Sequence, residues 1–148
     1  MARKFTVALI VFLFSFLTAA AYAVQEKVDL RGEALKGANG EALIKDAGEG
    51  GKMIDIKARG LAPGSVYTVW FVKDMPGGEI AGIGRGDHSF RSDAAGNGEF
   101  SALVPEKDIA DWDNIEVFIH PDGDPGNVRN AGIALKGDIS EADSYPGP

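Results

Sequence analysis

The rhythm of apolar and polar positions changes several times along this chain, most sharply at Val66–Val72, VYTVWFV, where every residue is β-branched or aromatic. Such side chains fit a pleated surface and lose rotamer freedom in a helix. Alternation puts Val66, Thr68, Trp70 and Val72 on one face and Tyr67, Val69 and Phe71 on the other. Both faces are apolar, so the pattern predicts a central strand covered on both sides. The rival, a buried helical segment, needs a longer and less β-branched run. Pro63-Gly64 just before it supplies a turn, proline presetting φ and glycine tolerating the positive φ that follows.

The other segments read as short strands between turns. Residues 28–35 alternate, Asn39-Gly40 is a pair favoured in tight hairpins, and 41–45 returns. The tetrapeptide GEAL at 32–35 and again at 40–43 reads as two similar hairpin arms. Residues 52–59 alternate cleanly, with Ile54 and Ile56 inward. Gly82, Gly84 and Gly86 stand at every second position of 79–87, which marks a strand approached closely by another backbone or a large ring. A turn at 93–98, DAAGNG, follows, and then one helical turn within 105–114 that pins Trp112 to the core. Residues 115–120 form a strand with Ile115, Val117 and Ile119 inward, 121–130 a polar loop, and 131–139 a last strand with Ile133 and Leu135. Seven to eight short strands with turns every 8–12 residues predict an all-β fold, an antiparallel immunoglobulin-like β-sandwich, with a closed barrel as the alternative. One domain spans 24–140, and 141–148 is expected to be a disordered acidic tail.

The N-terminus departs from this rhythm. Arg3-Lys4 precede an apolar stretch, 5–17, broken only by Thr6 and Ser15, and small residues lead to Ala21-Tyr22-Ala23. That is the layout of a secretory signal peptide, 1–23, cut after Ala23. The rival is an uncleaved anchor, for which the stretch is just long enough. The expected route is general secretion, and the destination is the periplasm or the outside of the cell. The chain carries a net charge of −7, and losing Arg3 and Lys4 makes it more acidic still. An acidic surface repels nucleic acid and anionic membranes, so neither a nucleic-acid partner nor stable membrane insertion is expected after cleavage. There is no cysteine, so stability rests on packing, with or without a metal.

The order of motifs is familiar: GLAPGSVYTVWFV, then GIGRG, FRSDAAGNGEF, IEVFIHPDGDPGN and a closing IALKG. Over roughly 40–137 it resembles the extracytoplasmic β-sandwich domain of anti-sigma-K factors and related exported domains. The resemblance implies a sandwich fold and an exported location. It does not extend to the family's membrane helix or sigma-binding domain, and His120 stands where the family more often has glutamate before proline.

Material for catalysis is thin. The chain has no cysteine, no GxSxG and two histidines, and His88 and Ser89 as strand neighbours point to opposite faces. The chain is therefore expected not to be an enzyme. The expected role is a binding or structural module, with another envelope protein as partner, and Phe118, Tyr145 and Phe90 as candidate surface aromatics. The alternative is a metal-binding protein. His88 and His120 with Asp87, Asp122 and Asp124 offer nitrogen and oxygen ligands for copper or zinc. Calcium in the 122–127 loop is less favoured, because Gly126 takes a ligand position and no glutamate closes the loop. Against both stands the ordinary use of Asp and Asn as turn formers.

Overall fold

Val66–Val72 has hydrogen-bonded neighbours along both edges, as a central strand requires. The computed structural model describes residues 24–146, and the expected signal peptide lies outside them. The strands are β1 Val24–Gly32, β2 Asn39–Gly48, β3 Gly51–Arg59, β4 Val66–Val72, β5 Ile80–Gly82, β6 Ser89–Arg91, β7 Gly98–Pro105, β8 Asn114–His120, β9 Gly132–Asp138 and β10 Asp143–Pro146. Among the described residues the helical pieces are three short 3-10 turns, Glu106–Asp108, Val128–Asn130 and Ile139–Glu141. None is long and apolar enough to cross a membrane.

Every ladder is antiparallel, and all belong to one curled sheet in the order β5-β4-β8-β9-β1-β2-β3-β7. β6 shares an edge of β4 with β5, and β10 lies on β1. The sheet has two wings. One holds β10, β1, β2, β3 and β7, and the other holds β5, β6, β4, β8 and β9. Where the sequence suggests two packed layers, the ladder runs on between them: Arg31 and Gly32 pair with Lys136 and Leu135, and the amides of Glu33 and Ala34 donate to the carbonyls of Ala134 and Ile133. Gly137 lets the backbones meet there: a Cβ on it would lie 2.7 Å from the Asp29 carbonyl oxygen. Gly32 instead serves the reversal that follows β1, where a Cβ would run into the Leu35 carbonyl oxygen.

The curl brings the apolar faces of both wings into one core. Val28, Leu30, Ala42, Ile44, Ile54 and Ile56 come from the first wing, and Tyr67, Val69, Phe71, Ile115, Val117 and Leu135 from the second. Ile54 and Ile56 are inward, as their alternation predicts. The turn after β7 places Trp112 flat against Phe71, with ring centroids 6.0 Å apart.

On the far side the wings meet through side chains. Phe90 of β6 approaches Phe100 of β7 at 6.3 Å, a Cβ on Gly98 would run into the Phe90 ring, and Gly84 passes Ala102 with no room for a side chain. Among the described residues β7 has one ladder partner, β3, and β5 has one, β4. The curl therefore stops short of a hydrogen-bonded barrel.

Several elements differ from the sequence reading. Asn39-Gly40 is not a turn: both residues lie in β2, opposite Arg59 and Ala58, and the chain reverses earlier, with Gly37 at φ +91°. The two GEAL copies consequently differ in structure, the first opening that reversal and the second lying in β2. Ile133 is turned outward, because β8 and β9 slip register between Val117 and Phe118 and both Ala134 and Leu135 fall inside. Phe90 packs against the core, stacked on Tyr67 at 5.3 Å, and is not a surface aromatic. Within the expected tail, Asp143–Pro146 form β10, which pairs with the start of β1 and covers a strand edge that β9 leaves bare and that would otherwise expose unpaired amides.

Candidate functional site

The two histidines flank β4 and do not converge. The His88 carbonyl accepts from the Val69 amide on one edge of β4, whereas His120 pairs with Val66 on the other. Two strand spacings across and three residues along separate their backbones by about 14 Å. Each ring has its own task. His88, at φ +58°, donates Nδ1–H to the Ile83 carbonyl (3.0 Å) and lies edge-on to Trp70 at 5.5 Å. A Cβ on Gly82 would strike this imidazole at 2.0 Å, so here the glycine does make room for a large ring. Gly84 and Gly86 instead take positive φ in a turn, outside any strand.

His120 is buried, 1% exposed, and its Nε2 meets the Thr68 hydroxyl at 2.8 Å. The same hydroxyl accepts from the Trp70 indole N–H at 2.7 Å. The His120 Nδ1 has no hydrogen-bond partner.

The aspartates proposed beside them are turn formers. Asp87 accepts from the Ser89 hydroxyl and amide, which hold its carboxyl below the usual range. Asp122 accepts from the Asp124 amide and the Asn127 side chain and is lowered likewise, and Asp124 accepts from the Gly126 amide. Among the described residues no group of three or more acidic or histidine side chains is placed to hold a metal ion. The expected copper or zinc site at His88, His120, Asp87, Asp122 and Asp124 is therefore not assembled. The two imidazoles lie along opposite edges of β4, and the aspartates are held in their own turns.

The concave feature lies elsewhere, at the unclosed margin between the wings. A cleft of about 1100 Å³ opens between β7 and the β5 segment. One wall is formed by Ala81, Gly82, Gly84 and Arg85, and the other by residues 100–105. Phe71 and Trp112 form its apolar floor, and the β2–β3 turn closes one end. Carboxylates predominate on the rim, with Glu49, Glu79, Asp108 and Asp111 against Lys73 and Arg85. Two exposed apolar side chains sit on the strands at its margin, Ile80 of β5 at 49% and Leu103 of β7 at 58%.

Both margins offer main-chain groups. The Glu106 amide donates to Gly50, which makes 50 and 106 a hydrogen-bonded pair. Alternation along the ladder then turns the amides and carbonyls of Phe100, Ala102 and Val104 toward β3, and those of Glu99, Ser101 and Leu103 outward. β7 is a long edge with no register shift along β3, and proline blocks it only at Pro105.

The sequence reading missed this site. The sequence offers a glycine-rich short strand and Trp112 on a turn, and nothing in it joins them. Compared with known proteins, the chain matches no family model and no curated relative.

Proposed function

We propose that the chain is an exported, non-enzymatic binding module of the cell envelope that holds a protein partner in the cleft between β5 and β7. The observation that carries this is the unclosed sheet: two strand edges face a cleft with an aromatic floor. An edge strand whose outward amides and carbonyls lack a ladder partner is a template for strand pairing.

Export is supported by the apolar leader and its small-residue cleavage site. All of β1 lies beyond the expected cut, so removing 1–23 leaves every ladder whole. An immunoglobulin-like sandwich, as in the extracytoplasmic domain of anti-sigma-K factors, is supported by two wings whose apolar faces share one core. A binding role rather than a catalytic one is supported by the structural hydrogen bonds of both imidazoles.

The test uses cells producing the full chain with a photo-crosslinking residue at Ala81 in the cleft or, separately, at Glu41 on the outer face of the first wing. A discrete protein adduct is expected from position 81 alone. Equal adducts from both positions, or none from either, reject the cleft. N-terminal sequencing of the exported protein should begin at Val24, and an intact leader rejects cleavage.

A further inference from the structure

Resting on that reading of the cleft, we infer that the partner enters as an extended segment that adds a strand to β7, with side chains alternating between apolar and basic. The outward amides and carbonyls of Glu99, Ser101 and Leu103 recur every second residue, which is the hydrogen-bonding pattern that an added antiparallel strand completes. From 99 to 103 this edge runs about 14 Å, enough for a segment of about five residues.

The two faces of an added strand would meet different surroundings. One faces the floor, where Phe71 and Trp112 are stacked and take apolar side chains. The rim beside it carries Glu49, Glu79, Asp111 and the Lys107-paired Asp108 against Lys73 and Arg85. That charge balance selects Lys or Arg at the alternate positions. It also disfavours a second copy of this chain, since two acidic margins would be brought together in a protein of net charge −7.

The probe is a fluorescein-labelled eight-residue peptide of alternating Lys and Val, read by anisotropy against the purified full chain. A Glu–Val peptide and a Lys–Val peptide with alternate backbone nitrogens methylated serve as controls. Saturable binding of the Lys–Val peptide is expected, weakened at least tenfold in the Glu–Val peptide and abolished by N-methylation. Leu103→Pro removes an outward N–H and no bond to β3, so it should weaken binding at least tenfold while Leu103→Ala weakens it less. The N-methylated peptide makes the same test on the ligand, should Leu103→Pro disturb the fold.

Equal binding of the methylated peptide overturns strand addition. Equal binding of the Glu–Val peptide overturns the basic partner. Sedimentation showing a dimer of the chain alone that Leu103→Pro dissociates makes the occupant a second copy and also overturns it. If no peptide binds while the Ala81 crosslink persists in cells, this inference fails alone. If the crosslink is also absent, the cleft reading fails with it.

Discussion

The outer faces of the two wings are built on opposite plans. On the first wing the outward positions form charged rows: Asp29, Glu41, Lys57 and Glu99 lie opposite one another across β1, β2, β3 and β7, with Arg31, Asn39 and Arg59 in the next row. Ion pairs such as Lys27–Asp29 at 3.2 Å and Lys45–Asp55 at 2.9 Å lie among them, in reach of water. On the second wing the outward positions include Thr68, Trp70, Asn114, Glu116, Phe118 and His120. There Thr68, Asn114, Glu116 and His120 are buried, while Trp70 and Phe118 stack at 6.4 Å. A solvated charge can lose its partner to water at little cost, whereas a hidden polar group cannot. The first face should therefore tolerate change that the second does not.

The largest effect is expected from Trp70→Ala. It removes the ring that contacts His88 and Phe118 and caps the Thr68 hydroxyl, and should cost about 3 kcal/mol in a urea melt. Leu103→Ala, an outward truncation on the first wing, should cost about 0.5 kcal/mol. Similar costs for both would end the distinction.

Thr68→Val comes next. It keeps the shape but leaves the Trp70 indole N–H and the His120 Nε2 without their shared hydroxyl, at a cost of about 2 kcal/mol. Thr68→Ser should recover part of that loss in the same melt.

A third test uses pH, where the wings should respond with opposite sign. Burial pushes the Glu116 carboxyl above its ordinary value of 4.5, against the pull of Lys136. A raised folded-state value means that its contribution is greatest below the unfolded value and is lost as pH rises through the folded one. From about pH 4 to pH 7, stability should therefore shift in favour of Glu116→Gln relative to the parent. Asp55 is held below its ordinary 3.8 by the Ser101 hydroxyl and then by Lys45, which together outweigh its desolvation. Its contribution is present above the unfolded value and lost as pH falls through the folded one, so Asp55→Asn should lose ground to the parent as pH rises. Denaturant melts from about pH 2 to pH 7 read both signs, the Asp55 change at and below its unfolded value and the Glu116 change above its own, and matching signs would refute the contrast.

The smallest effect belongs to Lys57→Gln, in the charged row, which should change stability by no more than about 0.5 kcal/mol.

The contrast also explains what could be read from the sequence. Local alternation is a backbone property, so β3, β4 and β8 and their inward residues Ile54, Ile56, Ile115 and Val117 are legible from period alone. The reversal before Asn39 was not, because pairing with β3 across nine residues outweighs a two-residue turn preference. The orientation of Ile133 is not legible from alternation, because it depends on a slip between β8 and β9. His120, at a strand end, reads from the sequence as a solvated residue or, alternatively, a metal ligand, and only the register with β4 puts Thr68 and Trp70 beside it. The cleft was invisible for a similar reason: it is defined by the partner β7 lacks, and the absence of a pairing leaves no mark on β7 itself.

The sheet is bound like a book. Its spine is the run from Arg31 to Ala34 along β9, stitched by main-chain hydrogen bonds and drawn tight by Gly137. Its fore-edge is held by Phe90 against Phe100 and by Gly84 against Ala102. Parting the fore-edge loosens packing and breaks no ladder, whereas parting the spine breaks main-chain hydrogen bonds. The molecule is therefore compliant in one direction and stiff in the other, and its compliant side is the margin of the cleft.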